Sequence, residues 1–189
     1  MHKTLISLAL LALLGAPAAA RPRSIAVLEY RAGVTSAANL AESVAGAIER
    51  LTSNRVIAPA DARRVLGAAV DESVARCKGQ AACIARIGKR LGCSEVVLVG
   101  ISQLGDLIIA IQRISVRRGR TISRLADSLR TTSSVPDDAV ARYVKRLLPP
   151  GDFKRFGRIV VRTGGEGDEV FIDERPRGRT PVPPLRVPA

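Results

Sequence analysis

The chain has 189 residues, of which 47% are hydrophobic, and its 30 Lys and Arg against 17 Asp and Glu give a formal net charge of +13. These values are typical of a globular protein and exclude an intrinsically disordered one. The single histidine, His2, lies in a segment that we expect to be removed. The mature chain would then have no imidazole for a catalytic triad or a His-ligated metal, which argues against most hydrolase chemistry.

Residues 1–20 have the features of a secretory signal peptide. A basic start at Lys3 precedes an apolar run over residues 5–15, and an A-x-A exit ends at Ala20. The alternative is a transmembrane anchor, but the run is much shorter than the about 20 residues that a spanning helix needs. The segment has no twin arginine and no lipid-accepting cysteine. We therefore expect a protein exported to the periplasm or cell surface, not as a lipoprotein, with a net charge of +12 after cleavage.

The first half of the mature chain alternates short strands with amphipathic helices. Ser24 to Tyr30 is an apolar, β-branched run that predicts a buried strand. A helical stripe follows over residues 37–51, with Thr35 or Ser36 as its N-cap. Three further elements are predicted, a strand over 55–58, a helix from Pro59 through Val70 and a helix over 80–91 that ends at Gly92.

Three consecutive strands and a last helix are predicted next. The strands cover residues 95–101, 107–116 and 121–129, and the helix runs from Pro136 through Leu148. Pro149, Pro150 and Gly151 end this helix. The order of elements predicts an α+β fold for residues 21–150, an α/β sandwich in which helices cover a mixed sheet.

The strand over 107–116 also predicts which side chains face the core. One face carries, by period-two alternation, Ile108, Ala110, Gln112, Ile114 and Val116. The opposite face changes from Ile109 and Ile111 to Arg113, Ser115 and Arg117. We expect this second face to leave the core for solvent at Arg113.

Three cysteines occur in a chain that we expect to be exported, where disulfides are stable. Cys77 and Cys83 flank the flexible stretch Lys78-Gly79-Gln80, so a small loop closes easily between them, and we predict a disulfide. The alternative is a metal site, but no further soft ligand or histidine accompanies these thiols. Cys93 would remain as a small buried thiol without a histidine base.

The densest group of bases lies on and around the last two strands. It comprises Arg113, Arg117, Arg118, Arg120, Arg124 and Arg130. Such a hairpin is either solvated surface or a site for an anionic partner, such as a lipid headgroup, a polysaccharide or a nucleic acid. The interleaved aromatic residues that are typical of single-strand binding are absent, since only 3% of the chain is aromatic. A nucleic-acid partner is therefore not expected.

A set of short segments lies within about residues 24–148. It comprises Ile25 to Leu28, Cys77, Cys83 to Gly88, Leu91 to Cys93, Val96 to Gly100 and Gln103 to Gly105. Together these segments resemble the TolB N-terminal-like α/β domain of exported bacterial proteins. Members of this family usually carry Ala or Val at the position of Cys93. The resemblance implies a periplasmic or envelope module that binds other proteins and has no catalytic site.

The last part of the chain contains three segments with short apolar alternation and Gly-rich turns, Gly157 to Thr163, Gly165 to Glu174 and Gly178 to Pro181. They resemble a PEGA domain, a small β module of bacterial envelope proteins with no assigned activity. In the motif that names the family, Glu166 and Gly167 match, Gly165 stands for the first Pro and Asp168 for the Ala. Glu174 replaces the Gly that usually follows the Asp of the next turn. The alternation predicts two strands around a Gly-rich turn, one through Ile159 and the other through Val170.

Together these features predict a signal peptide at 1–20, a TolB N-terminal-like domain at 21–150, a linker at 151–156 and a partial PEGA-like β module at 157–189. We expect this last module to be small, truncated and of β-sandwich type. Such a module normally continues through further strands, so we expect the chain to be a fragment of a longer protein. A calcium site on the acidic residues of 166–174 and an enzyme are weaker alternatives. We predict a non-enzymatic envelope protein without a cofactor that binds other envelope proteins, or alternatively an anionic lipid or polysaccharide through the Arg-rich hairpin.

Overall fold

The computed structural model describes residues 23–32, 37, 39–130 and 134–188. The predicted leader and the predicted caps Thr35 and Ser36 lie outside this part of the chain. The strands are β1 (Ser24–Arg31), β2 (Arg55–Ile57), β3 (Glu95–Leu104), β4 (Asp106–Ser115), β5 (Arg120–Leu129), β6 (Phe156–Ile159), β7 (Glu169–Ile172), β8 (Arg175–Arg179) and β9 (Leu185–Pro188). The helices are α1 (Leu40–Leu51), α2 (Pro59–Leu66), α3 (Ala69–Arg76), α4 (Ala81–Arg90) and α5 (Asp137–Leu147).

Five strands form one mixed sheet in the order β2-β1-β3-β4-β5. The strand β1 runs parallel to both of its neighbours, whereas β3, β4 and β5 form an antiparallel meander. The predicted α+β fold class is therefore confirmed. Because β1 and β3 lie in the middle and their segments Ile25 to Leu28 and Val96 to Val99 are covered on both faces, these apolar runs are continuous, as expected for buried strands.

Two hydrophobic clusters lie on the two faces of the sheet. One packs α1 and α5 against side chains such as Val27, Val99 and Ile109. The other packs α2, α3 and α4 against side chains such as Leu28 and Val96. The amphipathic stripes of the sequence are thus satisfied by a three-layer arrangement of helix, sheet and helix.

Two helix predictions differ from the structure. The predicted helix from Pro59 through Val70 is two helices, α2 and α3, because Gly67 ends α2 with a φ of +81°. The predicted helix over 37–51 begins only at Leu40, and Ala37 and Asn39 before it have positive φ. In both places local backbone geometry interrupts an apolar stripe that the periodicity alone would continue.

Cys77 and Cys83 form a disulfide that joins the end of α3 to the start of α4, as the sequence predicts. The third cysteine, Cys93, is a buried free thiol. Its Sγ lies 3.3 Å from the carbonyl oxygen of Gly88, and burial raises the pKa of the thiol. Cys93 therefore stays protonated near neutral pH and is a poor nucleophile.

Intact mass spectrometry after alkylation should show one disulfide and one thiol that reacts only after unfolding. The double variant Cys77→Ala/Cys83→Ala should lose about 2 kcal/mol of unfolding free energy, because the bridge closes a short loop with a sequence separation of 6. Urea unfolding of wild type and variant measures this loss. Rapid alkylation of two or three cysteines in the native protein would contradict the pairing.

The segment after α5 returns to the sheet instead of hanging free. The backbone of Asp152 and Lys154 bonds to Ser53 and Leu51 at the end of α1. Phe153 packs against the cluster of α1 and α5. Part of the stretch that the sequence marks as a linker is therefore attached to the five-stranded sheet.

The last strands form two separate two-stranded sheets, β6 with β9 and β7 with β8. The expected pairing of the Ile159 strand with the Val170 strand is wrong, since β6 pairs with the distant β9. The Gly-rich turn instead bonds to Thr180, whose backbone pairs with Gly167 and Asp168. Glu174 adopts a φ of +61°, so the tight turn between β7 and β8 forms without the usual glycine.

Candidate interaction surface

One face of the sheet is covered by helices only at one end. On the face of α1 and α5 the sheet side chains are buried from Val97 to Ile101 and from Leu107 to Ile111. On the other face Val96, Leu98 and Ile114 are buried under α4 and its neighbours. Beyond them the side chains are half-buried or exposed, and these are Tyr30, Gly100, Ser102, Ile108, Ala110, Gln112, Arg124, Ala126 and Ser128. We call these nine residues the open half-face.

Small side chains keep the middle of the open half-face low. Gly100, Ala110 and Ala126 are register partners on three adjacent strands. A Cβ at Gly100 would lie 3.2 Å from the carbonyl oxygen of Ala110, so a larger residue there would crowd the strand. A groove of about 190 Å³ results, and it is bordered by Arg124 on one side and by Lys78 of the disulfide loop on the other.

The open half-face ends at β5, which is the edge strand of the sheet. Helix α5 fixes β5 from the covered face by two hydrogen bonds. Ser123 Oγ donates to the carbonyl oxygen of Leu147 at 2.9 Å, and the Tyr143 hydroxyl donates to Asp127 Oδ2 at 2.6 Å. The edge is therefore held in place by groups that lie on the face opposite to the groove.

The bond from Tyr143 to Asp127 makes stability depend on pH at the alkaline end. Burial and the neighbouring carboxylate raise the pKa of Tyr143 above its usual value. The unfolded chain loses this proton at about pH 10 while the folded chain keeps it, so unfolding free energy falls as pH rises beyond about 10. Tyr143→Phe should cost about 1 kcal/mol at neutral pH and should flatten this alkaline decline. Urea unfolding at pH 7 and above pH 10 measures both effects.

The structure separates Arg113 from the other candidate arginines. Its guanidinium makes a bidentate ion pair with Glu95, with Nε to Oε2 at 2.7 Å and Nη2 to Oε1 at 2.8 Å. Both side chains are more than nine-tenths buried. The expectation that this face of β4 leaves the core at Arg113 is wrong, because the pair satisfies both charges within the fold. Arg113 is not available to an external anion.

The Glu95–Arg113 pair is part of a longer chain of charges. Arg23 Nη1 lies 3.3 Å from Glu95 Oε1, and the same guanidinium also contacts Asp152. Asn54 joins the network, since its side-chain amide donates to Asp152 and its carbonyl oxygen accepts from the backbone of Arg23. The network therefore links the start of β1 and the sheet to the segment after α5.

The remaining candidate arginines are exposed but do not form one cluster. Arg117 and Arg118 lie in the turn between β4 and β5, and Arg120 begins β5. Arg124 lies on the open half-face, and Arg130 follows the far end of β5. A ten-residue strand is about 33 Å long, so the two ends of this series are far apart. Among the described residues, these five guanidinium groups make no ion pair within 4 Å, unlike Arg113.

The turn between β4 and β5 borders a separate, larger cleft of about 720 Å³. Its rim carries the cations Lys89, Arg117 and Arg118, and the exposed side chain of Ile122 contributes an apolar wall. The buried Glu95–Arg113 pair forms part of its floor. This arrangement has the chemistry for a ligand that is both anionic and partly apolar.

Within the described ranges no three His, Cys, Asp or Glu side chains come together as a group that could hold a metal ion. The acidic residues of 166–174 include Asp173 and Glu174, which form the turn between β7 and β8, and Glu169, which bonds to Arg179. None of the helices in the described part of the chain is long and apolar enough to span a bilayer.

No protein-family model matches the chain, and no curated protein matches it. Solved structures are similar at low identity. The LpoB C-terminal domain from Salmonella enterica is 16% identical with a TM-score of 0.44, over 58% of this chain and 83% of that one. The lipoprotein GNA1162 from Neisseria meningitidis is 14% identical with a TM-score of 0.46, over 65% and 91%. TolB from Acinetobacter baumannii is 15% identical with a TM-score of 0.36, over 66% of this chain and 26% of that one.

The PEGA and TolB N-terminal-like assignments stay predictions from the sequence. The open half-face was not predicted, although the small and polar residues among Gly100, Ser102, Ala110 and Gln112 were a signal for it. The partner of Arg113 was also missed, and the only signal was a glutamate at the start of an otherwise apolar strand.

Proposed function

We propose that the chain is a non-enzymatic, exported protein of the bacterial cell envelope that binds other proteins. The observation that carries this proposal is the open half-face, an uncovered part of one face of the sheet, whose opposite face is covered by α1 and α5. A partly apolar sheet surface with a groove is a common place for a protein partner to bind. The leader at 1–20 and the resemblance to the TolB N-terminal-like and PEGA families support export and an envelope role.

The proposal keeps the division of the chain into 21–150 and 157–189 and assigns binding to the first part. Residues 23–154 contain the continuous core, the disulfide and the ion-pair network. The strands after residue 156 are mostly exposed, including the side chain of Phe171. We assign them a role in surface association, in line with the PEGA resemblance.

Site-specific photocrosslinking in cells that express the full chain tests this function. A photoreactive residue at Ala126 on the open half-face should form a crosslink to a discrete envelope protein. The same residue at Val65, an exposed position on α2, is the matched control and should not. Cell fractionation and N-terminal sequencing should show a periplasmic or surface protein that begins after Ala20. A cytoplasmic chain with an intact leader, or equal crosslinking at both positions, would overturn the proposal.

The cleft at the turn between β4 and β5 supports a second candidate function, binding of an anionic envelope lipid or polysaccharide. Lys89, Arg117 and Arg118 offer positive charge beside the apolar wall of Ile122. Vesicles with anionic phospholipid should then bind the full chain, with an affinity that falls steeply as salt rises. Arg117→Glu/Arg118→Glu should abolish this flotation, and vesicles of neutral lipid are the control. Salt-insensitive binding, or binding that the double variant leaves unchanged, would contradict this candidate.

A further inference from the structure

The edge strand β5 and the open half-face beside it form one continuous surface. The strand is ten residues long, pairs with β4 on one side and is the last strand of its sheet. A long edge strand presents unpaired backbone groups that can accept another strand. Gly100, Ala110 and Ala126 form one row of small residues across the sheet, and this row ends at the same edge.

The charge around this surface is strongly one-sided. Over residues 120–130 the chain has three arginines, Arg120, Arg124 and Arg130, against one acid, Asp127. Asp127 is already bound within the fold, since it accepts a hydrogen bond from the Tyr143 hydroxyl. An approaching strand therefore meets a row of positive charge, from Arg120 through Arg124 to Arg130.

The length of the edge strand and its positive charge together indicate which kind of partner can bind there. A second copy of β5 would bring two rows of arginines to one seam, and like charges across a strand pair are destabilising. A single phosphate headgroup needs cations that converge on one point, whereas these three arginines are spread along about 33 Å of strand. An extended acidic segment of a protein matches both the length and the charge of the edge.

We propose that an acidic, extended segment of a partner protein adds to the edge of β5 as an additional strand and lays alternate side chains over the open half-face. This inference rests on the proposed protein-binding function and names the kind of partner. Backbone hydrogen bonds to β5 supply the pairing, as in other cases of strand addition. Acidic side chains that point to the groove side meet Arg124 and Arg130, and the small or β-branched residues that alternate with them point to the opposite face of the sheet.

Fluorescence anisotropy with the full chain and a labelled synthetic peptide tests the proposal. The probe is about ten residues long, to match β5, and alternates Glu with Val or Thr. Three comparison peptides carry Lys in place of Glu, or N-methyl groups on one or the other set of alternate backbone amides. The acidic probe should bind, the Lys probe should not, and one of the two methylated peptides should lose binding because its blocked amides face β5.

Variants of the protein locate the site. Arg124→Glu and Arg130→Glu should each weaken binding of the acidic probe about five- to tenfold. Arg50→Glu on α1, an exposed residue outside the proposed surface, is the matched control, and Arg117→Glu/Arg118→Glu tests the cleft; both should leave the affinity unchanged. Thermal unfolding of each variant should match wild type, because all these side chains are exposed.

Three results would overturn the inference. They are equal binding of the acidic and Lys probes, equal binding of both methylated peptides, and loss of binding only in the Arg117/Arg118 variant. If Ala126 still crosslinks to an envelope protein in cells under any of these results, the protein-binding function stands and only the strand-addition mode fails. If the probe binds as expected but the chain is cytoplasmic, the mode stands and the envelope function fails.

Discussion

Glu95→Ala should lower the free energy of unfolding by about 3 to 5 kcal/mol, which is a large part of the stability of a domain of this size. The substitution removes both acceptors of the buried Arg113 guanidinium and leaves a positive charge inside the fold. It also removes one of the two carboxylates that Arg23 contacts. Urea unfolding followed by circular dichroism measures the change.

Two control variants separate the cost of the unpaired charge from the value of the pair. Glu95→Leu/Arg113→Met replaces both partners by apolar side chains and should recover most of the loss, since a buried pair is often replaceable by hydrophobic residues. Glu72→Ala removes one partner of the exposed pair with Arg76 and should cost less than about 0.5 kcal/mol. A Glu95→Ala variant as stable as Glu72→Ala would show that Arg113 is not held in the core.

Gly88→Ala should destabilise the protein by about 2 to 3 kcal/mol although alanine favours a helix more than glycine does. A Cβ at this position would lie 2.6 Å from Cγ2 of Val96 and 2.6 Å from Cγ2 of Val116. Val96 is fully buried, so α4 would have to move away from β3 to make room. Thermal and urea unfolding measure the loss.

Gly46→Ala is the matched control in another helix. A Cβ at Gly46 would lie 3.2 Å from an Nη atom of Arg50, the far end of a flexible and exposed side chain that can shift. We expect this variant to gain about 0.5 to 1 kcal/mol, because the entropy cost of glycine in a helix is removed. Equal effects of the two substitutions would contradict the close approach of α4 to the sheet.

The sequence predicted the main sheet and its helices because these depend on local periodicity. The run Glu95 to Ile101 is short and almost wholly apolar, and the apolar residues of α5 recur with helical spacing. The assignment of the first as a strand and the second as a helix therefore follows from the pattern alone. The disulfide was also predictable, since the loop between Cys77 and Cys83 is short. The break at Gly67 was not, because a glycine within an apolar stripe is compatible with both a continuous helix and a helix end.

The surface features depended on contacts between distant parts of the chain. Arg113 follows the alternation of a strand that leaves the core, and only its diagonal neighbour Glu95 on β3 shows that it is buried. Likewise, the open half-face exists because α4 begins only at Ala81, after the loop of Lys78 and Gly79 that borders the groove. No local pattern in β4 or β5 encodes where a helix earlier in the chain begins. The pairing of β6 with β9 instead of the Val170 strand was missed for the same reason. Both strands could pair with β6, and the local sequence does not specify which of them does.

The contact between Arg23 and Asp152 has a mechanical consequence. It brings the start of β1 and the segment after α5 side by side. The chain therefore enters and leaves the five-stranded sheet and its helices at the same point. A pulling force applied to the chain before β1 and after α5 would act first on the polar contacts of Arg23, Asn54 and Asp152 and would not stretch the strands lengthwise. We expect single-molecule pulling from residues 23 and 155 to break these contacts at low force while the sheet and its open half-face stay folded.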